Sequence, residues 1–158
     1  MSIPVPRTRN AMIKDSPDHH DADLVLRLYD LRRETVLRES RRYLAAEFWP
    51  RSADELLSIT KPDHPGNTAF RQVVGYWEMA YGLARHGIVN PDYLAENSGE
   101  GLFLFAKVYP WLAELRAAGS TRTFRYTEWI STQCEEGREA FAYFRQRVEK
   151  ALAARRGS

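Results

Sequence analysis

This chain is poor in cysteine, in lysine and in long apolar runs, and each shortage removes a class of protein. Cys134 is the single cysteine in 158 residues, so no intramolecular disulfide can form, and no Cys/His set approaches the ligand count of a structural zinc site. A reducing, cytoplasmic setting is expected. No apolar run nears the ~20 residues that span a bilayer, and Met1 to Asp15 has no apolar stretch of signal-peptide type, so no membrane role is expected. Charge of one sign is also missing. The formal net charge is +2, and it is spread along the chain as +1 for residues 1–50, −2 for 51–110 and +3 for 111–158. That lacks the clustered basic face of a nucleic-acid binder, and no nucleic-acid partner is expected.

Catalytic signatures are equally scarce. There is no GxSxG elbow, no HExxH and no GxxxxGK[ST], and Gly99-Glu100-Gly101 lacks the later glycine of a dinucleotide fingerprint. Asp18-His19-His20-Asp21, with Asp15 and Asp23, gathers metal-capable groups. Adjacent histidines point apart in a helix or a strand, so chelation there would be adventitious. No catalytic residue, metal or cofactor is assigned.

What remains is an ordinary globular composition, 44% hydrophobic and 28% charged, of a length suited to one domain. Residues 1–20 carry three prolines and no periodicity, which reads as a flexible arm before one helical domain over residues 21–156. From Ala22 to Trp49 nothing breaks a helix, and Leu24, Leu28, Leu31 and Thr35 share one side at 100° per residue. Farther along, Arg38 and Arg42 interrupt that line. Val36, Leu37, Tyr43, Leu44 and Phe48 open a second apolar sector.

Ser52 and Glu55 have capping-box spacing before a short helix ending near Pro62. Asn67 is placed to cap a helix with Phe70, Val73, Val74, Trp77, Tyr81 and Ala84 on one stripe, ended by Gly87 with Ile88 as its hydrophobic partner. Asn90-Pro91 reads as a cap plus a first-turn proline. Leu102 to Val108, a segment from Pro110 to Gly119, Phe124 to Ile130, and Ala140 to about Ala154 complete the helical set. No segment alternates with period two, so the expected fold is an all-α single-domain bundle of about five to seven helices with a long N-terminal helix.

Two features invite a functional reading. Arg71, Gly75, Glu78, Gly82 and Arg85 stack along one line of the Asn67–Gly87 helix, and each mid-helix glycine costs roughly 1 kcal/mol against alanine. Structurally, a neighbouring helix would pass over Gly75 and Gly82, with Glu78 paired to an arginine. Functionally, a glycine-floored groove lined by Arg71, Glu78 and His86, with Lys107, would bind or hydrolyse a small ligand. The structural reading is preferred, because one glutamate without a second carboxylate or a placed histidine is an incomplete acid/base set. The other feature is the second apolar sector of the first helix. It predicts a homodimer through Val36, Tyr43, Leu44, Phe48 and Trp49, or a contact with another protein, unless Phe141 and Phe144 of the C-terminal helix cover it. The leading expectation is a non-catalytic helical protein acting through association.

The stretch from Phe70 to Gly119 also resembles an uncharacterised bacterial all-helical domain of unknown function. The residues that carry the likeness are Tyr76, Trp77, Glu78, Gly87, Ile88, Asp92, Lys107, Pro110, Leu112 and Arg116. The resemblance implies an all-helical fold and a bacterial cytosolic setting, and no activity.

Overall fold

The structure, a computed structural model, describes residues 13–157. Among them are nine α-helices and one 3-10 turn, with no strand: α1 (His19–Leu31), α2 (Thr35–Glu47), α3 (Ala53–Ile59), α4 (Asn67–Arg85), α5 (Pro91–Asn97), α6 (Glu100–Val108), the turn Tyr109–Trp111, α7 (Leu112–Ala118), α8 (Arg125–Gln133) and α9 (Glu135–Arg156). The all-α class holds. The helix number is higher than expected, and one segment read as a single helix is divided.

The division is in the long N-terminal helix, which breaks at Arg32-Arg33-Glu34. Arg33 and Glu34 turn back with N–H donors to Asp30 and Leu31, and the Glu34 carboxylate accepts from the N–H groups of Val36 and Leu37, capping α2. The break is held from outside. Glu100, at the start of α6, receives Arg32 at 2.8 Å and Arg41 through Nε at 2.7 Å and Nη2 at 2.6 Å. One carboxylate therefore ties the end of α1 to the middle of α2, and a straight helix would hold these arginines too far apart along its axis. The two differently aimed apolar faces belong to two helices.

Local signals explain most other boundaries. Ser52 accepts from Glu55 N–H at 3.1 Å, Asn90 from Tyr93 N–H at 2.8 Å with Pro91 in the first turn, and Gly87 takes the left-handed conformation, φ 73°, after α4. Asn67 differs from expectation. It is the first residue of α4 rather than its cap, and its buried amide donates to the Ile59 carbonyl at 2.9 Å, fastening α4 to the end of α3. Of the expected arm, residues 1–12 lie outside the described residues. Within the rest, Lys14 is bound to fully buried Asp21, which also accepts the Asn90 N–H, and Asp18 caps α1.

At the centre lies α4, whose Trp77, Ala80, Tyr81 and Ala84 are almost wholly buried. It packs against α2 and α8, while α9 closes the other side over α5, α6 and α8. An aromatic chain runs through the core from Phe48 to Phe70, Phe124, Phe105 and Phe141, at centroid spacings of 5.2 to 6.3 Å. Gly101 lets α6 lie on α4. A Cβ there would meet the Tyr81 hydroxyl at 2.5 Å and the Trp77 ring at 2.7 Å.

Candidate functional site

The line Arg71, Gly75, Glu78, Gly82 along α4 divides into two environments. In its C-terminal half, α8 lies directly on α4. Phe124 begins α8 in the left-handed conformation, φ 59°, and has no side-chain cap of its own. Glu78 supplies the missing acceptor. Its Oε2 accepts from Tyr126 N–H at 3.1 Å, and its Oε1 from Thr127 N–H at 2.8 Å and from the Thr127 hydroxyl at 2.6 Å. The carboxylate thus satisfies orphan donors at a helix N-terminus, where the macrodipole favours negative charge. Its partner is a helix end and not the arginine expected. The Tyr126 ring covers Gly82, 3.2 Å from where a Cβ would stand, and the Tyr126 hydroxyl lies 3.1 Å from His86 Nε2. Arg85 stacks over Trp129 at 5.7 Å.

The N-terminal half is open. Nothing lies within 4 Å of a Cβ built on Gly75, so no helix crosses it and half of the expected structural reason for these glycines fails. Instead Gly75 floors a groove of about 560 Å³ between α4 and the turn joining α1 to α2. Its walls include Leu31, Glu34, Leu37, Arg71 and Met79. Leu31 and Met79 are 51% and 50% exposed, and neighbouring Val36 is 48% exposed. Tyr76 closes the inner end and donates its hydroxyl to the Leu28 carbonyl; burial pushes that phenol up to about 12.

Lys107 stands apart from both. It is buried between α2 and α6, donates to the Leu44 carbonyl at 3.2 Å, and lies 3.8 Å from the Trp49 ring and 5.0 Å from that of Phe103. Desolvation, with Arg155 adding like charge, pulls the amine down to about 7. The four residues singled out in sequence therefore do not converge: Glu78 and His86 both meet α8, Arg71 lines the open groove, and Lys107 has its own cavity.

The residues expected at an interface also separate. Leu44 and Phe48 are 3% and 4% exposed and belong to the core. Phe48 meets Phe70 of α4, and Trp49 meets Phe103 of α6 and Arg155 of α9. Phe144 of α9 reaches the same sector through Phe103, whereas Phe141 packs on Phe105. Tyr43 presses on the backbone of Gly66. Val36 alone of the five stays largely exposed.

Sequence reasoning missed the Arg32-Arg41-Glu100 cluster. Its members are 59 and 68 residues apart, and no short motif joins them. Among the described residues no group of three or more His, Cys, Asp or Glu side chains is arranged to hold a metal, and no helix is long and apolar enough to cross a membrane.

These features define an all-helical domain in which the polar line of α4 is partly a helix-capping device and partly an open groove. The chain belongs to the DUF4760 family, a domain of unknown function, whose family model matches residues 17–134 and so includes the whole Phe70 to Gly119 stretch. No curated protein and no solved structure matches the chain.

Proposed function

We propose that this protein acts by association rather than catalysis, and that the associating surface is the groove floored by Gly75. The observation that carries the proposal is the unexplained glycine. A glycine in the middle of a 19-residue helix costs roughly 1 kcal/mol, and no contact among the described residues requires it. A side chain there would fill the floor of a groove whose exposed rim includes Leu31 and Met79, with exposed Val36 close by in sequence.

The occupant proposed is a second copy of this chain. Glu34 and Arg71 both line the groove, and among the described residues Arg71 forms no ion pair with a carboxylate. A two-fold axis through the groove would bring Glu34 of each copy to Arg71 of the other, the reciprocal pairing of an isologous dimer. The surface lies at the start of α2 rather than at its C-terminal half, since Leu44 and Phe48 are occupied within the core. A cytoplasmic, bacterial setting belongs to the same proposal, supported by the resemblance and by a lone buried thiol, Cys134, which burial pushes up to about 11.

Light scattering on the eluting protein tests the proposal. The wild type is expected at twice 18.3 kDa, and Gly75→Leu and Met79→Glu each at the monomer mass with unchanged circular dichroism. A wild type that stays monomeric at high micromolar concentration, or a dimer indifferent to both substitutions, overturns it.

A further inference from the structure

We propose that Lys107 is a modification site for carbon dioxide, its amine adding the gas reversibly to form a carbamate in the cavity between α2 and α6. The inference does not depend on the groove.

Lys107 is the one buried lysine of the chain, 3% exposed, and its nitrogen has a single hydrogen-bond acceptor, the Leu44 carbonyl. Among the described residues no carboxylate forms an ion pair with it. It borders a cavity of about 60 Å³ whose other lining includes Arg41, Val73, Glu100 and Leu104. Water takes on the order of 30 Å³ in the liquid, so the space has room for a three-atom group. The lining is mostly apolar, which admits an uncharged gas more readily than an ion.

Charge counting favours the adduct. From α1, α2 and α6 come Arg32, Arg41 and Glu100, two cations sharing one carboxylate. From α9, Arg155 lies 4.4 Å from the Trp49 ring and Arg147 lies 5.6 Å from the Phe103 ring, the two rings that flank Lys107. An ammonium at Lys107 adds to the excess of positive charge that Arg32 and Arg41 leave over Glu100, whereas a carbamate offsets it. The amine pulled down to about 7 has a substantial neutral fraction near physiological pH, as the nucleophile requires.

The step balances without an oxidant or reductant. The nitrogen lone pair forms the N–C bond, one C=O π pair moves onto oxygen, and the nitrogen gives one proton to solvent. The remaining N–H keeps its bond to the Leu44 carbonyl, and the carboxylate occupies the cavity beside Arg41.

The test uses the intact wild-type protein in carbon-13 bicarbonate just above neutral pH, with carbamates trapped by a trialkyloxonium salt and located by peptide mass mapping. The expected result is an ester on Lys107 at more than about tenfold the level on Lys14, Lys61 or Lys150. A carbamate carbon signal is expected that disappears in Lys107→Arg and Lys107→Met, and Trp49 emission should change with carbon dioxide at constant pH only when Lys107 is present. An unlabelled Lys107, or label spread evenly over the four lysines and the α-amino group, overturns the proposal. Mapping on the wild type decides it even if a variant fails to fold.

Discussion

Gly75 and Gly82 lie on one side of the same helix, and the structure treats them in opposite ways. Tyr126 covers Gly82, and Glu78 one turn away caps the helix that carries that tyrosine. Above Gly75 the described residues leave the groove open. The same residue type at the same helical register thus has an intramolecular cause at one position and none among the described residues at the other. A glycine in a helix raises the question of what approaches it, and only its neighbours supply the answer.

The largest expected effect comes from breaking the covered half. Glu78→Ala strands two backbone donors and the Thr127 hydroxyl in a part-buried site. The loss should be about 3 kcal/mol, since hydrogen bonds to charged groups contribute about 1.5–3 kcal/mol and a helix cap about 1. A urea midpoint shifted down with an unchanged slope checks this. Glu78→Gln, which keeps an acceptor, should recover part of the loss.

Alanine at the two glycines sharpens the contrast, because the signs should differ. Gly82→Ala gains helix propensity but pushes on the Tyr126 ring at 3.2 Å, and a net loss of about 1 kcal/mol is expected. Gly75→Ala meets nothing, so the monomer should gain up to about 1 kcal/mol. Its dimer, if the groove is the interface, should weaken. Thermal unfolding at low concentration, beside light scattering at high concentration, separates the two effects. Equal destabilisation at both positions would erase the distinction between the halves.

The smallest effect concerns the open half's own cap. Glu34 accepts the Val36 and Leu37 N–H groups, which hold its carboxyl below the ordinary value of 4.5. A lowered folded-state pKa means that this stabilisation is full above 4.5 and fades as pH falls toward the folded value. Because the side chain is exposed, Glu34→Gln should lower the midpoint only slightly at neutral pH, and wild type and variant should converge in acid. A large effect at neutral pH would mean that Glu34 is engaged by more than its own helix.

Boundaries with local chemistry were legible: Ser52 with Glu55, Asn90 with Pro91, and Gly87 all act on backbone groups within a few residues. The break at Arg32 to Glu34 was not. Arginine and glutamate are good helix formers, and nothing nearby forbids continuation. Capture of Arg32 and Arg41 by Glu100 decides it. The position of Asn67 is similar, its amide drawn from the expected cap to the Ile59 carbonyl. As for the candidate site, the sequence placed Arg71, Gly75, Glu78 and Gly82 on one line, which helical periodicity guarantees, but it carried no trace of α8 lying over half of that line.

By itself the sequence determined the all-helical class, the central stripe of α4 and most of its caps, because apolar spacing and cap chemistry act within one or two turns. Only the tertiary structure decided where the first helix breaks, which glycine is covered, and that Lys107 is buried beside Trp49. Those outcomes depend on pairs such as Arg41 with Glu100 and Glu78 with Thr127, 59 and 49 residues apart. Such distances are set by how packed helices cross, and no periodicity along the chain encodes them.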